Sequence, residues 1–429
     1  MIKCRNCNSK KLKKVIFIGK QVVSSIFPKK KIINNKKYSL DLYKCENCEL
    51  VQLGKSIPLG NMYGETYGYR SSLSKLMVDH LYKKFLKLQK ICKLKRNSNI
   101  LDIGSSDSTF LNFFSNQRKN YNCLGIDPSA KKYLKYYNKD VNLIVDYFSA
   151  KSVNSGLKNF KLKNKKFKLI SSFAMFYDID EPNKFCKDIR SLLDNDGIWI
   201  LEMSYFPMLL SNLTYDQICH EHVTYYTLDV FKKIIEKNGL KVIDFSFNVI
   251  NGGSIEIICA PNKSKVKANL KKIKKQIELE KRITGIDYSK FNLRVDNIKK
   301  TTNLLLENIK KAKKKIIGYG AATKGNIVLN HCGIGSDKIP LICDENEEKF
   351  SRYTPGSNIK IISKKAMRRI NPDYLLVMIW SFKSEVIKQE IKYIKKGGKL
   401  IFHLPFLHIV DKENYIDHLN ENFEAFSYK

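Results

Sequence analysis

A chain of 429 residues, at roughly 150 residues per domain, holds two or three domains, and its 43% hydrophobic content excludes an intrinsically disordered protein. The net charge of +37 invites a nucleic-acid reading, but lysine far outnumbers arginine and runs through the whole length, which fits a solvated lysine surface better than a phosphate-binding face. No stretch approaches the roughly 18 apolar residues of a membrane helix, and Met1-Ile2-Lys3-Cys4 does not begin a signal peptide, so the 11 cysteines imply a reducing compartment, the cytoplasm, with thiols free or on metal.

The first chemical pattern is Cys4-x-x-Cys7 with Cys45-x-x-Cys48. Two thiolate pairs at knuckle spacing close a tetrahedral zinc site with no open position, so the metal would be structural and would hold a zinc-ribbon-like module that has little core of its own. A Gly- and Tyr-rich stretch over 62–72, containing Tyr67 and Tyr69, then precedes a helical pattern over 73–91. Tyrosine hydroxyls there can donate to an oxyanion or a substrate hydroxyl, so the stretch reads as a loop that covers a site.

Residues 101–110, Leu-Asp-Ile-Gly-Ser-Ser-Asp-Ser-Thr-Phe, follow a strand entry and run into a helix start. A pyrophosphate needs close backbone approach at several glycines, and this loop offers Gly104 alone, which suits a methionine-derived tail instead. It resembles the first motif of class I S-adenosylmethionine-dependent methyltransferases, with Asp102 or Gly104 near the amino-acid end and Asp127, ending the strand over 121–126, placed to accept from both ribose hydroxyls. Further strands over 141–146, 167–172 and 198–201 alternate with helical segments, which gives a doubly wound parallel sheet.

His220-Glu221-His222 lies between tyrosines. No ligand partner at suitable spacing completes a catalytic zinc site, so the pattern reads as general acid-base machinery: His222 or His220 removes a proton and Glu221 orients it. Asn251-Gly252-Gly253-Ser254 reads as a hairpin turn, and 263–315 as a charged helical connector broken near Gly285. From Lys315 a second nucleotide-fold pattern begins, with Gly318-Tyr319-Gly320 after a strand, Thr323 where a third glycine would stand, helix amides near Ala321 and Lys324 suited to a phosphate or diphosphate, and Asp344 after a strand over 339–343. Strands over 374–379 and 399–402 follow.

Taken in this order, the cysteine pairs, Tyr67-Gly-Tyr69-Arg-Ser71-Ser72, Asp102-Ile-Gly104-Ser, His220-Glu221-His222, Asn251-Gly252-Gly253-Ser254, Gly318-Tyr-Gly320-Ala and Lys324-Gly325-Asn326 resemble the bacterial nucleotide-sugar C-methyltransferases over nearly the whole chain. The resemblance implies an α/β protein in four parts: a zinc-binding module (1–60), a methyltransferase domain of class I with an N-terminal lid and helix (61–262), a helical connector (263–314) and a Rossmann-like sugar-nucleotide-binding domain (315–429). It implies methylation of the carbon beside the keto group of a nucleotide-activated 4-keto-deoxy sugar. His222 is the leading base with Glu221 and His220 beside it, and Tyr67 and Tyr69 are donors. S-adenosylmethionine contacts fall on Asp102, Gly104, Ser105, Asp107 and Asp127, substrate contacts on Asn251, Gly253, Tyr319, Lys324 and Asn326, and zinc on Cys4, Cys7, Cys45 and Cys48. The implied protein is cytoplasmic, a monomer or homodimer, with no nucleic-acid or membrane partner. Two positions depart from the family pattern: Cys219 stands where a tyrosine is common, and Met175-Phe176-Tyr177-Asp178 lacks a histidine. The alternatives are a methyltransferase acting on RNA or a small metabolite, and an NAD-dependent sugar-nucleotide oxidoreductase centred on 318–344.

Overall fold

A computed structural model describes residues 2–34, 36–57, 70–160, 165–284 and 288–420. Tyr67 and Tyr69 lie outside the described residues. No helix among those described is long and apolar enough to cross a membrane.

The central sheet has seven strands in the order Leu240–Asn248, Ser254–Pro261, Leu193–Ser204, Phe167–Phe173, Asn99–Ile103, Asn122–Ile126, Val141–Ile144. The last five of these run parallel, and the Leu240–Asn248/Ser254–Pro261 hairpin is added antiparallel at one side. Every residue of Asn99–Ile103 is buried, as expected of a strand covered by helices on both faces. The chain reverses direction across the sheet between Asn99–Ile103 and Phe167–Phe173, so a crevice opens at their carboxyl ends.

A second sheet follows the connector, in the order Lys360–Ser363, Leu341–Asp344, Ile316–Tyr319, Tyr374–Val377, Lys399–Phe402, with His408–Val410 antiparallel at its edge. It too is doubly wound, with a switch point beside Ile316–Tyr319. The strand expected over 339–343 starts at Leu341 instead, because Pro340 has no N–H to give to a ladder.

The N-terminal strands Leu12–Ile16, Leu42–Cys45 and Val51–Leu53 form an antiparallel sheet whose fourth strand, Thr224–Tyr225, comes from the segment immediately after His222. The module is thus joined to the central domain by backbone pairing, and its apolar residues share one continuous cluster with residues of 206–225 and the C-terminal domain.

The connector forms the helices Leu270–Thr284 and Tyr288–Lys311. It is more than a spacer. Glu280, 1% exposed, accepts from the Tyr205 hydroxyl and from the N–H groups of Leu228 (2.6 Å) and Asp229 (3.1 Å), and so closes the amino end of the helix Leu228–Lys237. Burial outweighs these donors and pushes its carboxyl up to about 7. A carboxyl raised above its ordinary value stabilises the fold fully below pH 4.5 and loses that contribution as pH rises through 7. Wild type should therefore lose up to about 3 kcal/mol over this window relative to Glu280→Gln. Denaturant unfolding of both proteins at pH 5 and pH 8 checks this, and parallel pH dependence would contradict it.

Candidate active site

The strand Asn99–Ile103 ends in a tight turn before the helix Thr109–Ser115. Gly104 has φ +75°, and Ser106 and Ser108 also adopt left-handed backbone at 47° and 63°, a strained geometry that functional loops retain. Asp102 is buried, accepts from Ser171 Oγ at 2.6 Å and is pushed up to about 7, chiefly by burial. At the end of the next strand, Asp127 accepts from the Ser106 N–H (2.9 Å) and from the Ser129 N–H and Oγ (both 2.7 Å). The turn and this carboxylate therefore hold each other.

This turn forms one wall of a cavity of about 1170 Å³ that continues between the central and C-terminal sheets. Asp102, Gly104, Ser105, Asp127, Glu221, His222, Asn251 and Lys324 all line it. Residues as far as 222 positions apart in sequence, Asp102 and Lys324, are therefore brought to one space.

Five expected contacts lie off its walls. Asp107 accepts from Thr109 Oγ1 (2.7 Å) and the Ser72 N–H (3.0 Å), so its carboxylate braces the turn. His220 faces the N-terminal module, with Nε2 3.5 Å from the Tyr38 carbonyl and its ring edge-on to the Tyr38 ring. At Gly253, a Cβ would lie 2.8 Å from Met208 Cε, so the glycine serves close packing. The Tyr319 hydroxyl donates to Gln389 (3.1 Å) and Glu390 (3.0 Å) inside the C-terminal domain. Asn326 Nδ2 donates to the Ser24 carbonyl at 2.8 Å and ties the module to the helix Thr323–Cys332.

The segment 215–222 is gripped from three sides. Trp380 of the C-terminal domain donates Nε1–H to Asp216 Oδ2 at 2.8 Å. The Val223 N–H donates to the Tyr177 carbonyl (2.9 Å), and the Leu53 N–H donates to the Val223 carbonyl (2.9 Å). The His222 ring then packs on Tyr177 with centroids 4.0 Å apart. Burial pushes its imidazole down to about 3, and the Lys324 ammonium adds to that, so His222 is neutral and available as an acceptor above about pH 3.

Both Glu221 carboxylate oxygens, Asp216 Oδ1 and His222 Nδ1 are buried without a hydrogen-bond partner among the described residues, and all three residues line the cavity. Each such group costs about 1–3 kcal/mol, which points to a polar ligand in the cavity that these groups face.

Sequence reasoning did not single out Asp216, Tyr177 or Trp380, nor the full setting of Glu202. Glu202, on the cavity wall, is met by His80 Nε2 (3.0 Å), Lys84 Nζ (2.6 Å) and Asn248 Nδ2 (2.6 Å). Burial acts to raise its carboxyl, but Lys84 and His80 outweigh that and hold it at about 2. The available signal was positional, since Glu202 lies near the end of a buried strand; His80 and Lys84, from a helix some 120 residues earlier, and Asn248, from a strand 46 residues later, had none. Of the two departures, Cys219 does line the cavity as a buried neutral thiol. Phe176 does not, being packed against Phe185, Trp199, Tyr226 and Phe231.

At the N-terminus the sulfurs of Cys4, Cys7, Cys45 and Cys48 lie within 4.8 Å of one another, with Cys4–Cys48 at 3.4 Å and Cys7–Cys45 at 3.6 Å. Four bonds of about 2.3 Å in a tetrahedron place sulfurs about 3.8 Å apart, so the set fits a zinc ion closely.

Three family models match in chain order: a zinc binding domain over residues 4–63, a methyltransferase domain over 74–244 and a C-methyltransferase C-terminal domain over 249–405. The C-methyltransferase NovU of Streptomyces niveus is 26% identical over 381 residues, covering 88% of this chain and 89% of that protein. The carboxy-S-adenosyl-L-methionine synthase of Staphylococcus epidermidis is 27% identical over 192 residues, covering 39% of this chain and 82% of that protein. Among solved structures, the plantazolicin methyltransferase BpumL with a pentazolic analogue and SAH aligns at TM-score 0.33 and 15% identity, over 43% of this chain and 84% of that one, a likeness too weak to argue from.

Proposed function

We propose, for what is an S-adenosylmethionine-dependent methyltransferase with a zinc-binding N-terminal module and a C-methyltransferase C-terminal domain, that the acceptor is a nucleotide-activated 4-keto-deoxy sugar methylated on the carbon beside its ketone. The observation that carries the reading is the shared cavity: the turn at Asp102–Gly104, His222 and the carboxyl ends of a second nucleotide-type sheet all open into it. A small acceptor would not need the second sheet.

S-adenosylmethionine, when bound, supplies an electrophilic methyl group on sulfur. Asp102, Gly104, Ser105 and Asp127 hold it. His222, neutral and packed on Tyr177, takes the proton from the carbon beside the ketone, and Glu221 orients the sugar through its hydroxyls. The amino end of the helix Thr323–Cys332 takes the diphosphate, with Lys349 and Arg352 on the same side of the cavity. Tyr67 and Tyr69 belong to this reading as hydrogen-bond donors; their segment rejoins the described chain at Arg70, and Ser71 lines the cavity. The division at residues 60, 262 and 314 belongs to it as well.

Mass spectrometry of the purified protein with S-adenosylmethionine and a panel of nucleoside-diphosphate 4-keto-6-deoxysugars tests the acceptor. The expected result is one methyl gained on at least one sugar nucleotide. Cofactor binding with no sugar nucleotide methylated would overturn it.

A further inference from the structure

Lys324 sits in the first turn of the helix Thr323–Cys332 and its side chain leaves the C-terminal domain altogether. Its Nζ donates to the Asn251 carbonyl at 2.9 Å, in the turn of the hairpin that edges the central sheet. The charges it faces are those of the histidine segment, since Asp216, Cys219 and His222 are the groups that its ammonium perturbs. An ammonium has three N–H groups. One is used on Asn251, and no described carboxylate forms an ion pair with it. Asp216, the nearest candidate, gives one oxygen to Trp380.

A half-buried cation this sparsely paired is costly to keep, and such groups concentrate where charge develops in a reaction. The diphosphate, at the backbone amides of the same helix, is not the anion its Nζ meets: that atom lies at Asn251, the carboxyl groups of Glu221 and Asp216 share its wall, and a permanent dianion there would face both. A ketone oxygen brings no charge until the adjacent carbon is deprotonated.

Building on the acceptor class argued above, we propose that Lys324 is a catalytic residue of the methyl-transfer centre: its ammonium donates to the ketone oxygen of the acceptor and carries the negative charge that gathers there. The C–H bond beside the ketone breaks, its proton goes to His222, and its electron pair forms the carbon–carbon double bond as the carbonyl π pair moves onto oxygen. Lys324 holds that enolate. The carbonyl then re-forms as the carbon takes the methyl group, the sulfur keeps the electron pair of the broken C–S bond, and His222 releases its proton to solvent. Burial lowers the Lys324 ammonium below the usual lysine range, which makes it a stronger donor to the enolate. The C-terminal domain thereby supplies part of the reacting centre.

The test is solvent deuterium exchange at the carbon beside the ketone, measured by NMR on a nucleoside-diphosphate 4-keto-6-deoxysugar at saturation with S-adenosylhomocysteine present, for wild type, Lys324→Met and Lys324→Gln. Calorimetric binding of S-adenosylhomocysteine and of the sugar nucleotide reports whether each variant is folded. Loss of one oxyanion donor is expected to slow exchange about 10²–10³-fold in Lys324→Met, with an intermediate loss in Lys324→Gln and both binding constants within about threefold of wild type. Exchange within fivefold of wild type in either variant, or a loss seen solely as weaker sugar-nucleotide binding, would overturn the role of Lys324 while leaving the acceptor assignment in place. A wild-type protein that neither exchanges nor methylates any sugar nucleotide would overturn both.

Discussion

Replacing His222 with asparagine is expected to abolish proton exchange and methyl transfer together while S-adenosylmethionine still binds. The imidazole lines the shared cavity, is held on Tyr177 and stays neutral because burial and Lys324 both disfavour its charged form. Removing a general base of this kind lowers turnover by about 10²–10⁴-fold. The asparagine is smaller but keeps a polar amide where Nδ1 stands, so the loss it reports is that of the base rather than of a polar group. The cofactor turn is in a different wall and does not depend on the ring. The pH profile carries a second signature. A base held at about 3 should leave the acidic limb of kcat well below the ordinary histidine range, so activity should stay flat from pH 6 to pH 8. Stopped-time exchange assays across that range with S-adenosylhomocysteine at saturation check it, and a limb near pH 6.5 that Asp102→Asn leaves in place would show that another group is the base.

Removing zinc should have a comparably large effect, through structure. The module's own sheet has three short strands, and its fourth strand is Thr224–Tyr225, two residues beyond His222. A structural zinc site contributes folding free energy directly, apparent values being about 10–16 kcal/mol in isolated zinc-finger peptides. Cys45→Ser is therefore expected to lose the metal, lower the unfolding temperature by at least about 5 °C and eliminate methyl transfer. S-adenosylhomocysteine binding should persist, because the Asp102–Gly104 turn belongs to the central sheet. Elemental analysis, calorimetry and the transfer assay read the three effects. Full activity in the metal-free protein would show that the histidine segment holds its shape without the module.

Much of this architecture was legible because it follows local rules. Paired cysteines at knuckle spacing, the single-glycine turn after a strand and the Gly318–Gly320 turn each need particular residues within a few positions, and each appears where its pattern lies. What was not legible is what depends on docking. Nothing near His220 and His222 distinguishes them in sequence, yet pairing of Thr224 with Gln52 and Tyr225 with Val51 sends one ring to the module and the other to the cavity. Tyr319 and Asn326 sit in a nucleotide-type turn, but their partners, Glu390 and Ser24, are remote in the chain and draw both side chains away. Asp216 and Trp380 meet across 164 positions with no pattern to announce it. The same holds for Glu280, which lies in the charged helical connector but takes its three donors from the central domain, far away in sequence.

The most direct test of carbon methylation is ¹³C NMR of the product formed from a nucleoside-diphosphate 4-keto-6-deoxysugar and S-adenosylmethionine labelled on its methyl carbon. The account predicts a labelled methyl resonance in the carbon-bound region, correlated with a ring carbon beside the ketone. A labelled resonance in the methoxy region, coupled through oxygen, would contradict it.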